Sequence, residues 1–224
     1  VVVTGGAGFI GSAFVRDALN GEFLNIGMDP TELIVIDKLT YAGSMDNLAE
    51  VSNDKRFRFH QEDIVSAKAI TPLVRGADLL VNFAAESHVD RSIAGAADFV
   101  QTNIVGVQTL LDACKAVDRD IRFVQISTDE VYGSIEAGSW TEEWPLLPNS
   151  PYSASKAGGE LLARSYNKTH GLDVVITRCS NNYGPFHFPE KLIPLFVTNL
   201  LEGKKIPVYG SGMNVRDWLH VDDH

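Results

Sequence analysis

The sequence predicts an α/β fold built on a doubly wound parallel sheet, and three observations carry that expectation. Short β-branched runs alternate with longer helical stretches, which is the pattern of βαβ units. Several of these runs are apolar on both faces, as a sheet covered by helices on each side requires. Glycines stand directly between the first run and the first helix, where a parallel sheet makes its tightest turn.

The elements follow in order. Candidate strands lie at residues 1–4, 33–36, 56–60, 79–83, 122–127 and 174–178. A first helix begins near Phe9, after the glycines. Val100, Ile104, Val107, Leu111 and Cys114 recur at spacings of three and four, so this segment reads as an amphipathic helix. Ser150-Pro151 punctuates the entry to another helix, starting near Tyr152. Residues 136–149, with two Trp and two Pro and no periodicity, read as a loop after a strand. From about Asn181 the alternation weakens and Pro and Gly punctuate the chain. The expected division is therefore a dinucleotide-binding domain over 1–180 and the start of a substrate-binding region over 181–224. Residues 20–32 carry no motif that bears on function, and there is no internal repeat.

Composition narrows the function. A chain of 224 residues, 45% hydrophobic, can bury a substantial core. Its net charge of −10 argues against a nucleic-acid surface, which would cluster Lys and Arg. Cys114 and Cys179 lie far apart with no CxxC pair or His cluster, so neither a disulfide framework nor a metal site is expected. No apolar run approaches the roughly 18 residues that cross a bilayer, and no signal segment precedes the first strand, so a cytoplasmic protein without membrane contact is expected. Val1 falls inside a strand and His224 follows directly on Val221-Asp222-Asp223, so both ends read as trimmed.

Gly5, Gly6, Gly8 and Gly11 hold both G-x-G-x-x-G and G-x-x-G-x-x-G spacings between strand and helix. Lacking Cβ atoms, they let the backbone approach a pyrophosphate, and the helix N-terminus offers free N–H groups to it. The second strand ends at Asp37, whose carboxylate can accept from ribose hydroxyls and would repel a 2′-phosphate. NAD rather than NADP follows, unless Asp37 only caps its strand. Asp63 and Ile64 follow the third strand, where adenine would lie.

Tyr152 and Lys156, four residues apart, share one helix face. An ammonium beside a phenol stabilises the phenolate and brings it toward proton transfer near neutral pH. With the glycine turn, this pair resembles the extended, sugar-nucleotide branch of the short-chain dehydrogenase/reductase family. Ser127-Thr128-Asp129-Glu130-Val131-Tyr132-Gly133 narrows the resemblance to the nucleotide-sugar 4,6-dehydratases, because related epimerases carry small residues in place of the acidic pair. The chemistry agrees: dehydration needs an acid and a base, and two carboxyl groups can divide those tasks. The bland alternative is a solvated acidic turn.

Further segments carry the likeness: residues 37–43, 82–92, 179–185, 188–194 and 216–218. The resemblance implies dTDP-glucose as the substrate and NAD as the cofactor, with Phe9, Ile10, Lys38 and Ala84 joining Gly5, Gly8, Gly11, Asp37, Asp63, Ile64, Tyr152 and Lys156 around the dinucleotide. It implies a sugar-nucleotide pocket of Ser87, His88, Thr128, Glu130, Asn181, Lys191, Leu192, Pro207, Tyr209 and Arg216. Arg216 suits a diphosphate, although an ion pair with Asp217 is as good a reading. A lone His88 is more often structural. The implied mechanism is internal redox: hydride leaves sugar C4 as Tyr152, aided by Thr128 and Lys156, takes the hydroxyl proton. Glu130 then removes the C5 proton, Asp129 protonates the departing C6 hydroxyl, and hydride returns to C6. Family members continue for roughly another hundred residues and form homodimers through helices like those near 100–114 and 152–166. The rivals are an epimerase or decarboxylase, which would not need Asp129-Glu130, and a silent NAD-binding module, which would need no proton-transfer groups.

Overall fold

A computed structural model describes residues 1–117, 119–208 and 210–224. In chain order the main elements are β1 (Val2–Thr4), α1 (Phe9–Asn20), β2 (Leu33–Asp37), β3 (Phe57–Gln61), α2 (Ala67–Val74), β4 (Leu79–Asn82), α3 (Val89–Ala94), α4 (Ala97–Val100), α5 (Val107–Ala116), β5 (Arg122–Thr128), α6 (Pro151–His170) and β6 (Asp173–Cys179). They are followed by β7 (Asn181–Tyr183), α7 (Leu192–Leu201) and β8 (Trp218–His220). Strands β1 to β6 form one parallel sheet in the order β3-β2-β1-β4-β5-β6. All six expected strands are present, with ends that differ by a residue or so.

Alternation along β1 explains the two layers of core. Val2 packs with Ile36, Leu80, Phe123, Leu110 and Leu111 on one face of the sheet. Its neighbour Val3 packs with Val35, Val15, Ala18 and Leu48 on the other. Each fully buried side chain of this size contributes about 1.5–3 kcal/mol relative to exposure, so both faces must be helix-covered.

The helix expected through 100–114 is broken up more finely. α4 leads into a π-helical segment, Gln101–Gly106, before α5 begins. A wider turn advances the phase of the side chains, which leaves Val100 45% exposed although it fits the apolar spacing. α6 begins as expected: Pro151 occupies its first turn, Ser150 Oγ accepts from Ser153 N, and Gly171 ends it in the left-handed region. The small parallel pair β7–β8, joining Asn181 to Trp218 and Tyr183 to His220, was not expected. Strands of three residues are too short to show alternation.

Candidate active site

The chain runs outward from β1 through β2 to β3, then returns to start β4 on the other side of β1. Above the carboxyl ends of strands that diverge in this way a crevice opens, and ligands of such sheets bind there. A cavity of about 460 Å³ occupies it, reaching from the glycine turn to the start of α7.

The glycine turn is shaped by what a side chain would strike. Gly5 has φ +69°, and a Cβ there would lie 2.5 Å from the backbone nitrogen of Ala84. At Gly11 a Cβ would lie 2.3 Å from the Gly5 carbonyl oxygen. Gly8 stands at the N-cap of α1 without a side-chain cap, so the first N–H groups of the helix face the cavity's anion-accepting end. Asp37 braces this turn: its carboxylate accepts from Ala7 N at 3.0 Å and Leu39 N at 2.8 Å. Burial raises the Asp37 pKa, and those two backbone bonds pull it back. Lys38 pairs with Asp63 at 2.6 Å. Gly5, Gly8, Phe9, Ile10, Gly11, Asp37, Lys38, Asp63, Ile64 and Ala84 all line the cavity.

Tyr152 and Lys156 line the same cavity from α6. The Lys156 ammonium donates to the Ile126 carbonyl at 2.6 Å, and burial lowers its pKa to about 8. Tyr152 departs from the expectation. Burial, followed by the charge of Glu130, raises its pKa above the ordinary phenol value, and the Thr128 hydroxyl pulls it down. In this arrangement burial outweighs the stabilisation expected from the ammonium, which is held on Ile126.

Thr128 ends β5, and the short turn Asp129–Tyr132 follows it at once. The Thr128 hydroxyl donates to Asp129 Oδ1 at 3.1 Å and accepts from Glu130 N at 3.2 Å. Burial raises the pKa of both carboxyl groups; Asp129 adds to the rise at Glu130, while Arg216 and Lys191 oppose it. Both carboxyl groups are thus biased toward holding a proton, a bias that acid–base work can use. Glu130 lines the cavity, whereas Asp129 stands behind it on the Thr128 hydroxyl.

The expected sugar-nucleotide residues divide. Ser87, Thr128, Glu130, Asn181, Lys191 and Leu192 line the cavity, and Lys191 Nζ donates to the Ser87 carbonyl at 3.0 Å. His88 instead caps α3, accepting from Arg91 N, and its ring lies 3.8 Å from Glu190. Pro207 and Arg216 are exposed, and Arg216 donates to the Val215 carbonyl rather than pairing with Asp217. Tyr209 lies outside the described residues.

Several lining residues escaped the sequence reading. Cys179 ends β6 directly beside Thr128, so its place follows from strand register. His187 stacks on Phe9 with ring centroids 4.5 Å apart, and Phe188 meets Tyr41 edge-on. Nearby, Arg91 lies 3.8 Å over the Tyr41 ring and pairs with Glu190 at 2.8 Å. Asn103, in the π-helical segment, bonds both backbone groups of Glu86 and the Ser155 hydroxyl, tying the loop after β4 to α6. No metal-binding cluster and no helix long and apolar enough to cross a membrane occurs among the described residues.

Comparison with known proteins gives a consistent picture. Residues 2–224 match the family model described as GDP-mannose 4,6 dehydratase. The whole chain is 56% identical to the dTDP-glucose 4,6-dehydratase of Streptomyces niveus, spanning 66% of that protein, and 57% identical to that of Actinoplanes sp., spanning 69%. Among solved structures, the dTDP-glucose 4,6-dehydratase DesIV from Streptomyces venezuelae, with NAD bound, superimposes with a TM-score of 0.95 at 60% identity. That match covers 100% of this chain and 68% of the other. UDP-glucuronic acid 4-epimerase from Bacillus cereus gives 0.90 at 30% identity, covering 99% and 69%. The chain thus spans about two thirds of the length of the relatives it matches.

Proposed function

Because this chain belongs to the GDP-mannose 4,6 dehydratase family, we propose that it carries the NAD-binding and catalytic part of a dTDP-glucose 4,6-dehydratase. The observation that carries the reading is one cavity holding Tyr152, Lys156, Thr128 and Glu130 against a glycine turn, with Asp129 immediately behind. An epimerase would have no use for a pair of carboxyl groups of raised pKa at the end of β5. The named substrate and cofactor of the most similar proteins, dTDP-glucose and NAD, support the same choice.

The residues present fit a dinucleotide. The bare turn at Gly5 and Gly11 leaves room for a pyrophosphate, the uncapped start of α1 faces it, and Asp37 suits an unphosphorylated ribose. When bound, NAD supplies a hydride store, so that the hydride lost from sugar C4 is the one returned at C6. The chain's own groups move the protons. Tyr152 takes the C4 hydroxyl proton, with Thr128 holding the phenol and Lys156 the local positive charge. The C4 ketone acidifies the C5 hydrogen, and Glu130, on the cavity wall, removes it. Asp129 protonates the leaving C6 hydroxyl, which requires its side chain to turn from Thr128 toward the sugar. Glu130 returns its proton to C5 as the hydride arrives at C6, so no net oxidation results.

We read residues 1–180 as the dinucleotide-binding and catalytic unit and 181–224 as the beginning of the sugar-nucleotide region. Exposed Val100 and Leu161, at 45% and 51%, support a homodimer through α4 to α6, which light scattering tests directly. Two free cysteines, one buried, are consistent with a cytoplasmic protein.

The test of function is incubation with dTDP-glucose, followed by the alkali-induced absorbance of a 4-keto-6-deoxy sugar. Tyr152→Phe should abolish formation of reduced cofactor. Glu130→Gln and Asp129→Asn should form it on adding substrate and then stall, each losing roughly 10²–10⁴-fold in turnover. Normal turnover in both carboxyl variants would overturn the dehydratase reading.

A further inference from the structure

Three polar side chains are buried where the sheet would otherwise be apolar. Thr4, Asn82 and Gln125 are 0%, 0% and 2% exposed. They stand side by side on β1, β4 and β5, because Thr4 is in register with Asn82 and Asn82 with Gln125. Two residues earlier, the same three strands carry Val2, Leu80 and Phe123, all in one apolar layer. The polar row therefore lies on the α5–α6 side, one layer below the cavity floor.

Its bonds run in one direction. The Thr4 hydroxyl donates to Asn82 Oδ1 at 2.6 Å, Asn82 Nδ2 donates to Gln125 Oε1 at 2.9 Å, and Gln125 Nε2 donates to the Ile126 carbonyl at 3.2 Å. In this orientation each amide oxygen accepts from the residue before it and each amide nitrogen donates onward, which brings a Gln125 N–H to the Ile126 carbonyl. That carbonyl is the one on which the Lys156 ammonium rests, at 2.6 Å. Each polar atom of the row has a partner, and replacing all three side chains together by apolar groups of the same shape should cost little, so stability alone does not account for it.

We propose that Thr4, Asn82 and Gln125 are positioning residues for Lys156: by fixing a second N–H on the Ile126 carbonyl, they limit that carbonyl's hold on the ammonium. A carbonyl shared between two donors binds each less strongly than one donor alone. Lys156 is thereby kept free to turn toward the cofactor ribose and the phenol of Tyr152, and its proton is kept in exchange near neutral pH. The charged and titratable groups acting on Lys156 are Cys179 on β6 and Glu160 on its own helix, both raising its pKa against burial, and Glu160 is itself paired with Arg178. The row adds no charge of its own. The inference rests on the catalytic role given to Lys156 above.

Titration of Lys156 decides it without substrate or dinucleotide. In full-chain protein carrying ¹³Cε-lysine, with Lys156→Met assigning the signal, the midpoint is compared between the parent, Gln125→Met and the triple variant Thr4→Val/Asn82→Leu/Gln125→Met. Both variants should move it upward by roughly half to one unit, since the ammonium regains the carbonyl to itself. The triple variant leaves no unpaired donor and should melt close to the parent. The alkaline limb of turnover should move the same way, with kcat affected more than KM. Unchanged or lowered midpoints would overturn the proposal, and Gln125→Met alone would decide it if the triple variant did not fold. A parent inactive on dTDP-glucose would refute the functional reading while leaving this titration intact.

Discussion

On the cofactor wall, from Gly5 to Asp63, the main chain itself forms the site, and a carboxylate is spent on holding that main chain in place. On the facing wall Asn181, Lys191 and Leu192 present side chains to the cavity, and the chain beyond them is exposed through most of 202–217. The first wall tolerates almost no change in shape but asks little of side-chain chemistry. The second presents a few placed side chains, among them Lys191 against Ser87. A backbone-built wall fails by steric exclusion, all at once, whereas a side-chain-built wall fails by degrees.

The largest effect should come from the first wall. Gly5→Val forces a β-branched residue into φ +69° and sets its Cβ 2.5 Å from Ala84 N. We expect a loss of about 2–4 kcal/mol, or a melting temperature lower by roughly 5–15 °C. Dinucleotide binding should weaken at least ~100-fold in titration calorimetry. A variant that bound normally would remove the backbone account of this wall.

Asp37→Ala should do less and do it in two ways. The Ala7 and Leu39 N–H groups would lose their acceptor, costing about 1–3 kcal/mol in denaturant unfolding. Discrimination between NAD and NADP in binding titrations should fall by roughly tenfold, because the carboxylate no longer repels a 2′-phosphate. A parent protein that preferred NADP would contradict the assignment outright.

On the second wall, Arg216→Ala should leave melting within about 0.5 kcal/mol of the parent, as befits an exposed residue. If Arg216 closes on the sugar-nucleotide diphosphate, KM for dTDP-glucose should still rise by roughly 10-fold or more. Unchanged KM would place the residue outside the pocket.

The smallest effect concerns His187, where the two walls meet. Burial, reinforced by Lys191, lowers its pKa from 6.5 to about 4. A depressed histidine contributes stability above 6.5, and that contribution is lost as pH falls through 4. Scanning calorimetry between pH 7 and pH 4 should therefore show a steeper loss of melting temperature in the parent than in His187→Phe. That variant keeps a ring against Phe9 but cannot take up a proton. Equal slopes would mean that the stack is not felt by the fold.

What was legible in the sequence follows the same division. The glycines, Asp37, Tyr152 and Lys156 sit at fixed offsets from strand ends and on one helix face, so spacing alone locates them. Burial of Tyr152 was not legible, because the alternation of polar and apolar residues says nothing of how deep a phenol sits. Nor was the withdrawal of Asp129 from the wall, which depends on a single hydroxyl at Thr128. His187 and Phe188 lie in a stretch without periodicity and are placed by ring contacts to Phe9 and Tyr41, far away in sequence. Arg216 could be chosen for its chemistry but not positioned, since no strand or helix of the described residues carries it.

The pairing of β7 with β8 has a consequence for how such a protein can be remodelled. The pair is parallel and separate from the six-stranded sheet, so residues 184–217 leave at Tyr183 and cross over to re-enter at Trp218, beside Asn181. For a loop with tethered ends, each doubling of length costs only about 0.6 kcal/mol in closure entropy. That freedom belongs to the exposed stretch after α7, whereas His187, Phe188 and Lys191 are held against Phe9, Tyr41 and Ser87. The excursion thus has two parts: one docked on the catalytic wall, where change would disturb Glu130 and the cavity, and one exposed stretch whose length is free to vary.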